Sequence, residues 1–134
     1  MKKFLVIVAV GLALVGCAKV EQAWNVATSA SVPAQYAYAA ANSFDAIEAA
    51  ATVYIQLPLC GSQGASAACR NATATAKIVP AVRSGRAARN QIEALLGQNS
   101  GAAIPVATYN TLEAAINTLQ AIDAQYNISA VAQK

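Results

Sequence analysis

Hydrophobic positions recur at helical spacing along three stretches of the chain. In the first, Ala40, Phe44, Ile47, Ala51 and Tyr54 follow one another at intervals of 4, 3, 4 and 3. With 3.6 residues per turn, these positions share one helix face. The stretch opens at Pro33, whose fixed φ suits a first helical turn, with Ser31 as its candidate cap. It closes at Leu57, ahead of Pro58 and Gly61. The second stretch runs from about Asn71 to Leu96, with Ile78, Val82, Gly85, Ala88, Ile92 and Leu95 as its stripe and Gly97 as its stop. Pro80 lies inside it, so either the helix kinks there or its firm part begins there. Asn99, Ser100 and Gly101 make a turn. The third stretch, Pro105 to about Ile128, has the cleanest pattern. Tyr109, Leu112, Ile116, Leu119, Ile122 and Tyr126 form the stripe, and Asn110, Glu113, Asn117, Gln120 and Asp123 fall mostly off it.

Three helices over 33–57, 71–96 and 105–128 are each roughly 37 Å long by the helical rise. Matched lengths and short links predict an all-α fold, an antiparallel three-helix bundle. Convincing strand alternation is missing: Val53 to Leu57 is the best candidate, and it continues the first helix period. Alanine accounts for 34 of the 134 residues. Alanine at seam positions lets backbones approach closely but buries little area, so Phe, Ile, Leu and Tyr must supply most of the core. Hydrophobic content of 57% and charged content of 11% exclude a disordered chain.

The start of the chain follows a different pattern. Lys2 and Lys3 precede a 12-residue uncharged run, Phe4 to Val15, which ends in Leu14-Val15-Gly16-Cys17. The run is too short to span a bilayer core, which needs about 20 residues. A basic start, a short apolar run and a small-residue end describe a secretory signal. Residues 1–17 resemble the signal and lipobox of bacterial lipoproteins. The resemblance implies cleavage before Cys17, a diacylglycerol on its thiol and a third acyl chain on the new α-amine. Residues 1–16 are then a signal peptide, 17–32 a lipidated tether and 33–134 the helical body. Three acyl chains make membrane attachment effectively permanent. Ala18, where an Asp would mean inner-membrane retention in that family, favours the periplasmic face of the outer membrane. In a Gram-positive host the same motif means the outer face of the plasma membrane. Without Lys2 and Lys3 the charge falls from +3 to +1, with 7 basic and 6 acidic residues. A near-neutral body is not a nucleic-acid binder by electrostatics. The single tryptophan, Trp24, lies in the tether, where it suits either the headgroup level or the end of the bundle.

With Cys17 lipidated, Cys60 and Cys69 are left as one pair in an oxidising compartment, where a disulfide is the default. The Gly- and Ser-rich stretch between them closes easily, so a disulfide-closed loop joins the first two helices. Two thiolates without histidine are half a metal site, and no metal or cofactor is expected. The chain has no histidine. No catalytic constellation stands out, and the expected function is not enzymatic. Asp45 and Glu48 lie three apart on one helix and Arg83 and Arg86 three apart on another, a spacing read as solvated faces. Arg83, Arg86 and Arg89, with Arg70 and Lys77, make the second helix basic. Complementarity within the bundle, with Arg89 and Glu93 as an i,i+4 pair, is one reading. Contact with lipid phosphates or an acidic partner patch is the other. Tyr36 and Tyr38 are further candidates for facing a partner.

Two narrower resemblances bear on function. The lipobox, the alanine-rich helices and the final Lys134 resemble the murein lipoprotein family, implying a covalent link from Lys134 to peptidoglycan. The disulfide, the helix-breaking prolines and the lack of a continuous heptad depart from that family. The helices flanking Leu57-Pro58-Leu59-Cys60 resemble small alanine-rich phage and prophage lipoproteins, implying a part in superinfection exclusion or lysis. No residue roles carry over. The expectation overall is a membrane-anchored, non-catalytic binding or structural module with an envelope protein as partner.

Overall fold

The structure is a computed structural model, and it describes residues 30–63 and 68–132. The signal segment, Cys17, Trp24 and the rest of the tether up to residue 29, and Lys134, lie outside the described residues. Among those described the chain is mostly helical. In order, the elements are β1 (Ser31–Val32), α1 (Ala34–Gln56), α2 (Ala72–Gln98), β2 (Ile104–Pro105), α3 (Val106–Tyr126) and α4 (Ile128–Ala132).

The helices bury the stripes that predict them. On α1, Ala40, Phe44, Ala51 and Tyr54 are buried together with Ala37 and Ala41. Ile47 is half-buried at the edge of this face. On α2 the buried set is Ala74, Ile78, Ala81, Val82, Gly85, Ala88, Ile92 and Leu96, with Leu95 half-buried beside it. On α3, Leu112, Ala115, Ile116, Leu119 and Ile122 are buried, while Tyr109 and Tyr126 pack half-exposed against the core. One contact sets how α1 and α2 meet. The Phe44 ring is fully buried, and a Cβ on Gly85 would sit 2.1 Å from its Cε2 atom. Gly85 is therefore the socket for Phe44: any side chain there would occupy the volume of the ring.

Four local features differ from the expectation or decide it. Ser31 does not cap α1. Pro33 holds the N-cap position without a side-chain hydrogen bond, and its carbonyl accepts from the Tyr36 and Ala37 amides. Ser31 instead belongs to β1, which pairs antiparallel with β2, Ser31 opposite Pro105 and Val32 opposite Ile104. Val32 and Ile104 are fully buried, so the last two residues assigned to the tether are part of the folded body. Second, α2 starts at Ala72 and continues unbroken through Pro80. The missing proline N–H leaves the Ala76 carbonyl without its helical donor, and Ala76 and Pro80 both lie on the exposed side of the helix.

Third, α2 has a strong start. The Asn71 side chain accepts from the amides of Thr73 (2.8 Å) and Ala74 (3.2 Å), a side-chain N-cap. Fourth, the third helix ends at Tyr126. Asn127 adopts a left-handed conformation, φ 50° and ψ 44°, which asparagine tolerates better than most residues. The chain then restarts as α4, whose Ile128 is buried. Asp123 fixes this break, accepting from the Ser129 amide (2.7 Å) and hydroxyl (2.8 Å). α4 packs back onto α1, and among the described elements α2 and α3 share the most extensive contact.

Candidate functional site

Three surface features gather the polar residues. The first is the junction between α1 and α2. Cys60 and Cys69 form a disulfide, with Cα atoms 5.0 Å apart. Noncovalent bonds close the same junction. The Arg70 amide donates to the Pro58 carbonyl (2.9 Å) and the Cys60 amide to the Arg70 carbonyl (3.1 Å), a parallel bridge between Leu59 and Arg70. The Arg70 Nε donates to the Leu57 carbonyl at 2.8 Å. That carbonyl lies just past the end of α1, where a cation is favoured. The Asn71 amide donates to the Tyr54 hydroxyl at 2.7 Å, giving this deeply buried phenol its partner. Arg70 therefore precedes α2 and clasps the junction, where sequence had counted it with the basic helix.

The second feature is the seam of α1 with the middle of α2. Arg89 makes a bidentate pair with Asp45, both bonds 2.9 Å, and donates to Glu93 at 2.8 Å. Arg86 pairs with Glu48. The hydrogen bond to Asp45, the largest influence, raises the Arg89 pKa further above its ordinary value. Asp45 and Glu48, three apart on α1, thus face Arg86 and Arg89, three apart on α2. Of the three arginines singled out from sequence, two are neutralised inside the chain. Arg83 is exposed and makes no ion pair among the described residues. The i,i+4 pair of Arg89 and Glu93 is present as the spacing predicts; the pairs across the seam are what local spacing does not reveal.

The third feature, which sequence reading missed, is a groove of about 640 Å³ between α2 and α3. Ala81 and Ala115, both buried, form its floor, and Pro80 and Ala114 extend its apolar lining. Thr111, Thr118 and Ser84 stand along it but spend their hydroxyls on their own helices, donating to the carbonyls of Ala107, Ala114 and Ala81. Lys77 stands at one end and makes no ion pair among the described residues. The signal for this groove is present in the chain: Ala81 on one helix and Ala114 and Ala115 on the facing one, with Ser84, Thr111 and Thr118 beside them.

Tyr36 is half-buried against the core, and Tyr38 is exposed. Tyr109 is half-buried, and desolvation followed by the Glu113 carboxylate pushes its pKa up to about 12. Among the described residues no cluster of three or more His, Cys, Asp or Glu groups is placed to hold a metal ion. No helix among them is long and apolar enough to cross a membrane. In comparison with known proteins, no family model, no curated protein and no solved structure matches this chain.

Proposed function

We propose that this chain is a lipid-anchored envelope lipoprotein, held at the periplasmic face of the outer membrane through Cys17. Its body acts as a non-catalytic binding module. The observation that carries the reading is Leu14-Val15-Gly16-Cys17 at the end of a 12-residue apolar run behind two lysines. The Cys60–Cys69 disulfide supports it, because such bonds persist in the oxidising compartments to which that address leads.

The body we read as an antiparallel three-helix bundle. β1 and β2 tie the starts of α1 and α3 together, and the disulfide junction ties the end of α1 to the start of α2. Helices tied in this order run up, down and up. The short α4 then caps the end that carries the disulfide, beside α1. Of the surfaces this arrangement offers a partner, the groove between α2 and α3 and the exposed Arg83 have unspent chemistry. Arg86 and Arg89 are consumed by the seam.

In-cell crosslinking of the lipidated protein, followed by lysozyme digestion and mass spectrometry, tests the reading. A discrete outer-membrane protein, crosslinked through α2 or α3, is the expected outcome. A muropeptide on Lys134 with no protein partner would make the chain a tether between membrane and wall, and would overturn the binding reading.

A further inference from the structure

We propose that the junction between α1 and α2 holds Cys60 and Cys69 together as thiols before any bond joins them. The pair is then a folded-state dithiol substrate for a disulfide oxidant, entered at Cys60 and closed by Cys69. The contacts that fix the two residues do not involve sulfur. Leu59 and Arg70, each next to one of the cysteines, form the parallel bridge, and the Cys60 amide itself donates to the Arg70 carbonyl at 3.1 Å. Arg70 is held in turn by its Nε bond to the Leu57 carbonyl and by its Nη1, which donates to the Thr75 hydroxyl at 3.5 Å. Asn71, one residue on, is tied to the Tyr54 hydroxyl through its amide and to the start of α2 through its side chain. On the other side, Gly61 turns the chain at φ 82°, a conformation glycine adopts without a steric penalty. The Ser62 amide and hydroxyl both donate to the Leu59 carbonyl, at 3.2 and 2.7 Å. All of these bonds are open to the reduced chain.

Two thiols held in one place meet at a high effective concentration. By linkage, the factor by which folding favours the disulfide equals the factor by which the disulfide favours folding, roughly a hundredfold for a loop of this size. Access selects the order of events. Cys60 is exposed and Cys69 half-buried, and residues 60–69 carry no charge to repel an anionic thiol reagent. The Cys60 thiolate attacks one sulfur of an incoming disulfide; that S–S bond breaks, and the first leaving thiolate takes up the proton Cys60 gave up. The Cys69 thiolate then attacks the Cys60 sulfur of the mixed disulfide, and the second thiolate leaves and is protonated in the same way. Two electrons and two protons pass from the pair to the oxidant, which departs as two thiols. The inference rests on the junction alone and does not require lipid on Cys17.

The test uses the full chain with Cys17→Ala, so that only this pair is read, equilibrated with mixtures of glutathione and glutathione disulfide. After reduction the chain should keep its helical circular dichroism. Alkylation and mass spectrometry then give the oxidation equilibrium constant, which should fall roughly a hundredfold when the same chain is unfolded in urea. Arg70→Ala and Tyr54→Phe should each lower the native constant several-fold. A merely structural role would destabilise both redox states alike and leave that constant unmoved while the chain stays folded. With Cys69→Ala, Cys60 should take up glutathione faster than Cys69 does with Cys60→Ala. Loss of helix on reduction, or equal constants in native buffer and urea, overturns the proposal without touching the lipoprotein reading. Faster uptake at Cys69 overturns the entry at Cys60.

Discussion

Phe44 and Gly85 carry more of the architecture than their number suggests. The buried ring fills the space where a Gly85 side chain would stand, so α1 and α2 can approach only while that position lacks a Cβ. Overpacking a filled core costs about 1–3 kcal/mol, and the 2.1 Å approach places Gly85→Ala at the upper end. Urea unfolding should show its midpoint falling with little change in slope. Phe44→Leu should cost less in the Gly85→Ala background than alone, since the smaller side chain relieves the clash. Equal costs in both backgrounds would mean the two positions do not share this space. Tyr109 makes a second prediction. Its folded pKa, about 12, lies above the ordinary 10, so the folded state holds this proton more tightly than the unfolded chain. Stability contributed by the neutral phenol is complete below about pH 10 and is lost as pH rises through about 12. An ultraviolet titration of the folded protein should show a tyrosine step near pH 12, and Tyr109→Phe should remove it.

At the scale of elements, the disulfide junction is built twice, once covalently and once by Arg70, Tyr54 and the backbone pair around Leu59. Removing both cysteines restores entropy to the unfolded chain, which for a loop of this size costs roughly 2.5–3 kcal/mol. The hydrogen bonds remain, so Cys60→Ala with Cys69→Ala should melt lower while keeping its helical circular dichroism. Loss of helicity in that double variant at room temperature would mean that the noncovalent clasp does not hold alone. The three long helices were legible because Phe44, Tyr54, Ile78, Ile92, Leu112 and Leu119 recur at a period that local sequence displays. Strands β1 and β2 were not, because two residues each cannot show alternation. Nor was the break at Asn127, where a stripe that stays in phase through Tyr126 hides a left-handed residue. Arg70 was misplaced for a related reason: its partner is a backbone carbonyl, and backbone leaves no mark in a charge pattern. The seam pairs join residues 38 and 44 positions apart. Their only trace in the sequence is the matched spacing of Asp45 with Glu48 and of Arg86 with Arg89.

For the whole molecule, the folded body and the address are separate statements. The body accounts for its own cohesion. Its core is apolar, with no buried polar or charged residue among the described ones. Its acids on α1 are met by arginines on α2, and its short disulfide loop suits a domain of this size, where one core leaves a modest margin. None of this needs a membrane. The proposed address rests on the first 17 residues alone, which lie outside the described residues, and the disulfide is the one feature of the folded body that supports it. The central claim is therefore tested most directly by intact-mass and N-terminal peptide mass spectrometry of the protein from its native envelope. The account predicts a chain that begins at Cys17 and carries the added mass of three acyl chains, lost in Cys17→Ala. A chain that keeps residues 1–16, or one cut elsewhere without acyl mass, would contradict it.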